Sequence, residues 1–157
     1  MKNDYLDKAI AFATIKHSGQ KRKDGSDYIS HPLRVASYLK DKGYDQDYYL
    51  AGLFHDLLED TDATEDEILE LSNQKVLDAV KLVTKSSSVS KDEYIKRILE
   101  NQIAKEVKAA DRLDNLRDAL DGKPEFIKRY LENTKKYYLG KFGEEVDQAY
   151  YALLDKI

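Results

Sequence analysis

Apolar residues recur at intervals of three and four along nearly the whole chain, and little interrupts them: 157 residues contain only two prolines and seven glycines. That spacing follows the helical turn rather than the alternation of a strand. A chain patterned this way buries its apolar side chains by packing helix on helix. The expectation is an all-α fold, a compact bundle of roughly eight to ten helices without a sheet. The length suits a single domain spanning residues 1–157, able to bury roughly 70% of the surface its unfolded chain exposes.

The punctuation marks the elements. Leu6, Ala9, Ile10, Phe12 and Ala13 share a face of a first helix over 5–15. Gly19 and Gly25, with small polar residues between them, make "HSGQKRKDGSDYIS" a loop. A helix should begin near "HPLRVASYLK", with Pro32 in its first turn, where a missing N–H costs nothing, and Gly43 closing it. The next runs from Asp45 or Gln46 without a break to about Asp60. Thr64 with Glu67, and Ser90 with Glu93, have capping-box spacing. Val76, Val80 and Val83 continue a helical face to Thr84, and "KSSSVS" links it to a helix that ends near Asn101. Further helices are expected over 103–120, stopped by "DGKP", then over 125–140 and from Glu144 onward.

Composition excludes several kinds of function. Without cysteine there is no disulfide framework, thiolate metal site or Cys nucleophile. No run approaches the ~20 apolar residues of a membrane helix, and "MKNDYLDKAI" lacks a signal-peptide core. A cytoplasmic location is therefore expected, away from membranes. The net charge of −4 disfavours nucleic acid, which draws most affinity from phosphate neutralisation. A small anionic ligand held by a local basic cluster or a metal ion remains compatible with it.

Three stretches carry groups suited to chemistry. In "GLFHDLLED", His55, Asp56, Glu59 and Asp60 form a polar stripe on an otherwise apolar helix. Carboxylates gathered in such a setting resist ionisation, and a divalent cation removes the conflict. A solvated acidic helix end accounts for Glu59 and Asp60 but less well for His55 and Asp56. In "VKAADRLDNLRDAL", Asp111, Asn115 and Asp118 stack at i, i+4 and i+7, with Ala109 and Ala110 allowing close approach of another helix; a surface helix laced with Asp–Arg pairs is the alternative. In "GQKRKDGSDYISHP", Lys21, Arg22 and Lys23 cluster on a glycine-bounded loop ahead of His31. Arginine forks onto phosphate, although short charge runs are also common on solvated surfaces.

Taken together, "HSGQKRKDGSDYISHPLRVA", "GLFHDLLEDT" and "VKAADRLDNLRDA" resemble, in order and internal spacing, the signature segments of the HD-domain hydrolases of the RelA/SpoT type, which degrade the alarmones ppGpp and pppGpp. The resemblance covers about residues 5–120, and the length leaves no room for a synthetase domain, which points to a small stand-alone hydrolase. It implies Mn²⁺, with Fe²⁺ or Zn²⁺ as alternatives, held by His31, His55, Asp56 and Asp111. It implies that Glu59 and Asp60 act beside the metal on water and protons. Arg22 and Lys23 would contact the nucleotide, and Asn115 and Asp118 would lie in the same pocket. His17 matches the first segment without being a ligand. The chain departs from the family pattern at Asp114, where His is usual, at Asp118, where a small hydroxyl residue is common, and at Asp27, in place of a frequent Pro. Asp114 and Asp118 are expected to add negative charge beside a polyphosphate.

The implied reaction is hydrolysis of the 3′-pyrophosphate to GDP or GTP. Another nucleotide phosphohydrolase on the same fold, an NADPH 2′-phosphatase or nucleoside monophosphatase, is the alternative, and the "RKDG" loop ahead of "YISHP" favours the alarmone group. A non-catalytic nucleotide-sensing domain would be favoured by loss of a ligand or of the Glu-Asp pair, and all are present. The expected partner is a small-molecule nucleotide; the oligomeric state stays open, a homodimer included.

Overall fold

The computed structural model describes the backbone of residues 2–157 and the side chains of residues 4–157. Ten helices follow in order: α1 Lys2–Lys16, α2 Ser30–Asp41, α3 Gln46–Phe54, α4 Leu57–Asp60, α5 Glu65–Leu71, α6 Gln74–Val83, α7 Lys91–Leu99, α8 Gln102–Asp118, α9 Pro124–Tyr137 and α10 Glu144–Leu154. A 3₁₀ turn, Ala119–Asp121, prolongs α8. Among the described residues there is no sheet, and extended pairing is limited to a single bridge, Lys21 to Asp27, inside the loop after α1. No described helix is long and apolar enough to cross a membrane.

Side chains fix the helix ends. At α5, Glu67 N–H donates to Thr64 Oγ1 at 3.1 Å and Thr64 N–H donates to Glu67 Oε1 at 2.9 Å, a complete capping box. The box expected at α7 is half formed. Glu93 N–H donates to Ser90 Oγ at 3.1 Å, but the Glu93 carboxylate lies 3.8 Å from Arg97 Nε one turn on. Asn73 and Asn101 cap α6 and α8 by accepting from the N–H groups of Val76 and Ala104. Gly43 closes α2 at φ +91°, a conformation that glycine adopts without a Cβ penalty.

The long helix expected over 45–60 is divided. His55 and Asp56 form a turn between α3 and α4, with Asp56 at φ −100° and ψ −3°. The Gly52 carbonyl accepts both from His55 N–H, at 3.5 Å, and from His55 Nδ1–H, at 2.6 Å. A side chain that claims a carbonyl one turn back competes with the backbone ladder, and the helix breaks there.

α8 lies at the centre, packed against α2, α3, α6, α7 and α10. Its Ala104, Val107, Ala110, Leu113 and Leu116 are all buried. α2 and α3 press together closely at Gly52, where a Cβ would stand 3.0 Å from Leu39 Cδ1 and 3.3 Å from Ala36 Cα. This approach, with α8 across both, carries the start of α2, the α3–α4 turn and the middle of α8 to one place.

Candidate functional site

His31, in the first turn of α2, and His55, at the α3–α4 turn, are 1% and 3% exposed, and their ring centroids are 5.2 Å apart. Both direct Nε2 at one oxygen of Asp111 on α8: 2.8 Å from His31 and 3.3 Å from His55. Asp56 Oδ2 lies 3.1 Å from His55 Nε2 and 3.9 Å from His31 Nε2.

The tautomers follow from the partners. His55 Nδ1 faces a backbone carbonyl, and His31 Nδ1 faces Asp114 Oδ2 at 2.7 Å. The carbonyl requires a proton on His55 Nδ1, so its neutral ring carries the lone pair on Nε2; His31 meets a carboxylate at each nitrogen, and a cation in place of its contact to Asp111 would leave its proton on Nδ1, towards Asp114. His31, His55 and Asp111 each offer a ligand atom, all within 4.8 Å of one another. Two imidazole nitrogens with carboxylates are a donor set that suits a divalent first-row cation, and the residues present fit one.

Charge in the cluster points the same way. Burial works against ionised histidine, yet the charges of Asp56 and Asp111 hold His55 well above its ordinary pKa. For His31, burial is likewise outweighed, here by hydrogen bonds to Asp111 and Asp114. Asp111, despite its burial, is held well below the usual carboxylate range by Lys108 and His55. The pocket gathers positive charge around buried carboxylates, which is the compensation a metal ion supplies.

Asp56, Glu59 and Asp60 form a second group within 4.8 Å. Glu59 Oε1 accepts from Lys85 N–H at 2.9 Å, which ties α4 to the loop after α6. Partial burial of its carboxyl, with the charges of Asp56 and Glu59, pushes Asp60 up to about 6. The α3–α4 turn thus separates two sets: His55 and Asp56 face the buried cluster, and Glu59 and Asp60 face its open side.

On the same side, Arg22 reaches across to α8. It pairs with Asp118, donates to Asn115 Oδ1 at 3.3 Å and lies 3.8 Å from Asp114 Oδ2. Lys23 is directed away from this group, with Nζ 3.2 Å from the Phe126 ring centroid. The two negative charges expected to face a polyphosphate are engaged within the protein: Asp118 by Arg22, and Asp114 by Arg34 at 2.8 and 3.0 Å and by His31. His17 packs its ring 4.9 Å from Tyr28 and bonds Gln20 through Nδ1 at 2.8 Å, apart from the metal donors.

Several partners were not foreseen from sequence. Tyr28 donates its hydroxyl to Asp56 Oδ2 at 2.5 Å, Lys108 donates to Asp111 Oδ2 at 3.1 Å, and Arg34 forks onto Asp114. The signal for Lys108 was present as spacing, since it lies three residues from a proposed ligand on its own helix, whereas Arg34 reaches a partner on another helix. Tyr28 left none, because it sits on the loop.

The fold and the cluster define an all-helical domain with a buried His/Asp site that could hold a divalent metal ion. Residues 9–139 match the family described as the HD domain, and the chain belongs to that family. The guanosine-3′,5′-bis(diphosphate) 3′-pyrophosphohydrolase of Aquifex aeolicus is 38% identical over 141 residues, covering 85% of this chain and 20% of that protein. The probable enzyme of the same name from Synechocystis is 37% identical over 144 residues, covering 83% of this chain and 19% of that protein. The chain therefore spans about a fifth of the length of these curated relatives. Among solved structures, a metazoan ortholog of SpoT described as hydrolysing ppGpp, with a role in starvation responses, superposes with a TM-score of 0.78 at 26% identity, covering 97% of this chain and 94% of that one.

Proposed function

We propose that this chain is a divalent-metal-dependent hydrolase that removes the 3′-pyrophosphate of ppGpp and pppGpp, leaving GDP or GTP. The observation that carries the reading is the convergence of His31 Nε2, His55 Nε2 and Asp111 Oδ1 beside the Asp56–Glu59–Asp60 group. The similarity to ppGpp hydrolases over most of the chain supplies the substrate.

His31, His55, Asp56 and Asp111 hold the metal, Mn²⁺ by preference because carboxylates contribute half of the ligands. A divalent ion in that site polarises a phosphoryl oxygen and acidifies water. Asp60, its carboxyl pushed up to about 6 by partial burial and the charges of Asp56 and Glu59, takes the proton from the attacking water. Glu59, anchored by Lys85 N–H, orients that water. The water oxygen bonds to phosphorus as the bond to the ribose 3′ oxygen breaks; that oxygen takes up the proton held by Asp60, and GDP or GTP with a free 3′ hydroxyl leaves along with pyrophosphate. Arg22 supplies a cation to the nucleotide's phosphates once released from Asp118, with Asn115 at the same wall and Lys23 at the outer edge. Residues 1–157 act as one domain in this reading.

The test is incubation of the purified chain and Mn²⁺ with ppGpp, NADPH and nucleoside monophosphates in separate reactions. Pyrophosphate release from ppGpp is expected. Phosphate release from NADPH alone would transfer the assignment to a 2′-phosphatase on the same site.

A further inference from the structure

The two histidines of the centre are oriented by different means. His55 Nδ1 is held by a backbone carbonyl three residues away, which no substitution removes. His31 Nδ1 is held by a side chain, Asp114, 2.7 Å away on another helix. Asp114 is itself clamped: Arg34 Nε reaches its Oδ1 at 2.8 Å and Arg34 Nη2 its Oδ2 at 3.0 Å, a two-pronged fork. Arg34 Nη2 also lies 3.3 Å from Asp118 Oδ2, and Arg22 Nη2 stands 3.8 Å from Asp114 Oδ2.

The arrangement is a cross of two helices. α2 contributes His31 and, one turn later, Arg34; α8 contributes Asp111 and, one turn later, Asp114. The His31 ring is gripped at both nitrogens by carboxylates one turn apart on α8. Asp114 is largely enclosed, at 14% side-chain exposure, so its bond to His31 is shielded from solvent. A carboxylate already forked by a guanidinium accepts and does not donate, which keeps a proton on His31 Nδ1 and leaves Nε2, the nitrogen facing Asp111, as the one open to a cation. Outer partners of this kind orient a metal-binding imidazole and raise its basicity.

We infer that Asp114, clamped by Arg34, is a positioning residue of the metal centre that locks His31 as a ligand through Nε2. The inference rests on the metal-centre reading above and is independent of which nucleotide is hydrolysed. It assigns Asp114 a task unlike that of a charge facing the substrate.

Mn²⁺ titration of the purified chain, read by the electron paramagnetic resonance signal of the free ion, tests it without any substrate. Asp114→Ala should weaken Mn²⁺ binding roughly 10- to 100-fold. Asp114→Asn should weaken it less, because the amide oxygen still accepts from Nδ1, and Arg34→Ala least. Thermal melts of the metal-free proteins accompany the series. A merely structural role lowers the melts without that order of affinities. A folded Asp114→Ala protein that binds Mn²⁺ within about twofold of the wild type overturns the inference alone. Should that protein not fold, Asp114→Asn and Arg34→Ala carry the same test, and wild-type affinity in both overturns it. A wild-type chain that takes up no Mn²⁺ overturns the metal centre and the inference together.

Discussion

His55 and Asp56 are neighbours in sequence, and the break between α3 and α4 brings both to the buried cluster. On an unbroken helix adjacent side chains diverge by about 100°; here His55 Nε2 lies 3.1 Å from Asp56 Oδ2 and 3.3 Å from Asp111 Oδ1. In the proposed reaction the residues after the break have a different task. His55→Ala or Asp56→Ala should abolish measurable Mn²⁺ binding and activity together. Asp60→Asn should keep Mn²⁺ affinity while turnover of ppGpp falls about 10²- to 10⁴-fold, the span of a lost proton-transfer group. Calorimetric Mn²⁺ titration beside a pyrophosphate-release assay separates the two classes, and an Asp60→Asn enzyme of undiminished turnover removes Asp60 from the mechanism. Arg22 poses a different question, since its guanidinium is already paired with Asp118. An incoming phosphate must compete with that carboxylate. Asp118→Asn should therefore lower the KM for ppGpp, up to about tenfold if one charge-assisted contact is at stake, and Arg22→Ala should raise it. A KM unmoved by both changes would place the nucleotide elsewhere.

Among the helices, those with chemical punctuation were legible in the sequence. Pro32, Gly43, Thr64 with Glu67 and Ser90 mark ends where the structure has them, because caps and turns are local and need no distant partner. The α3–α4 break was not legible. The apolar pattern from Tyr49 to Leu58 runs through it, and the interruption comes from the His55 ring taking the Gly52 carbonyl. The proposed metal donors were singled out by family spacing and Lys108 by its place one turn before Asp111, whereas Tyr28 and Arg34 meet Asp56 and Asp114 only when distant segments pack. Gly52 shows what that packing demands. A Cβ there would meet Leu39 Cδ1 at 3.0 Å, Val35 Cγ1 at 3.2 Å and the Ala36 backbone at 3.3 Å. Gly52→Ala gains helix propensity, but α2 and α3 must separate to admit the methyl group. A net loss of about 1–3 kcal/mol is expected, read in urea unfolding as a lower midpoint at unchanged slope. The same separation moves His55 from His31, so Mn²⁺ affinity should fall with stability. A Gly52→Ala protein as stable as the wild type would mean that α2 and α3 yield more easily than their contact implies.

Across the molecule, the proposed ligands come from parts of the chain far apart: position 31 on α2, positions 55 and 56 at the α3–α4 turn and position 111 on α8. An unfolded chain does not hold them together, so on the proposed reading Mn²⁺ would bind the folded state and not the unfolded one. The folded state then gains RT ln(1 + [Mn²⁺]/Kd), about 2.7 kcal/mol at a hundredfold excess over Kd. For a chain of this size each kcal/mol raises Tm by roughly 2–4 °C. Addition of Mn²⁺ should therefore raise the melting temperature by roughly 5–11 °C, and a chelator should reverse it. The control lies in the site itself. His55→Ala should melt at the same temperature with and without Mn²⁺, because no other described residue can replace a ring anchored to the Gly52 carbonyl. Asp60→Asn, which leaves the four ligands in place, should keep most of the shift. Calorimetric scans of the three proteins with and without Mn²⁺ decide the matter: an equal rise in all three would show the ion acting on the acidic surface, and a rise confined to the wild type and Asp60→Asn would place it in the buried centre.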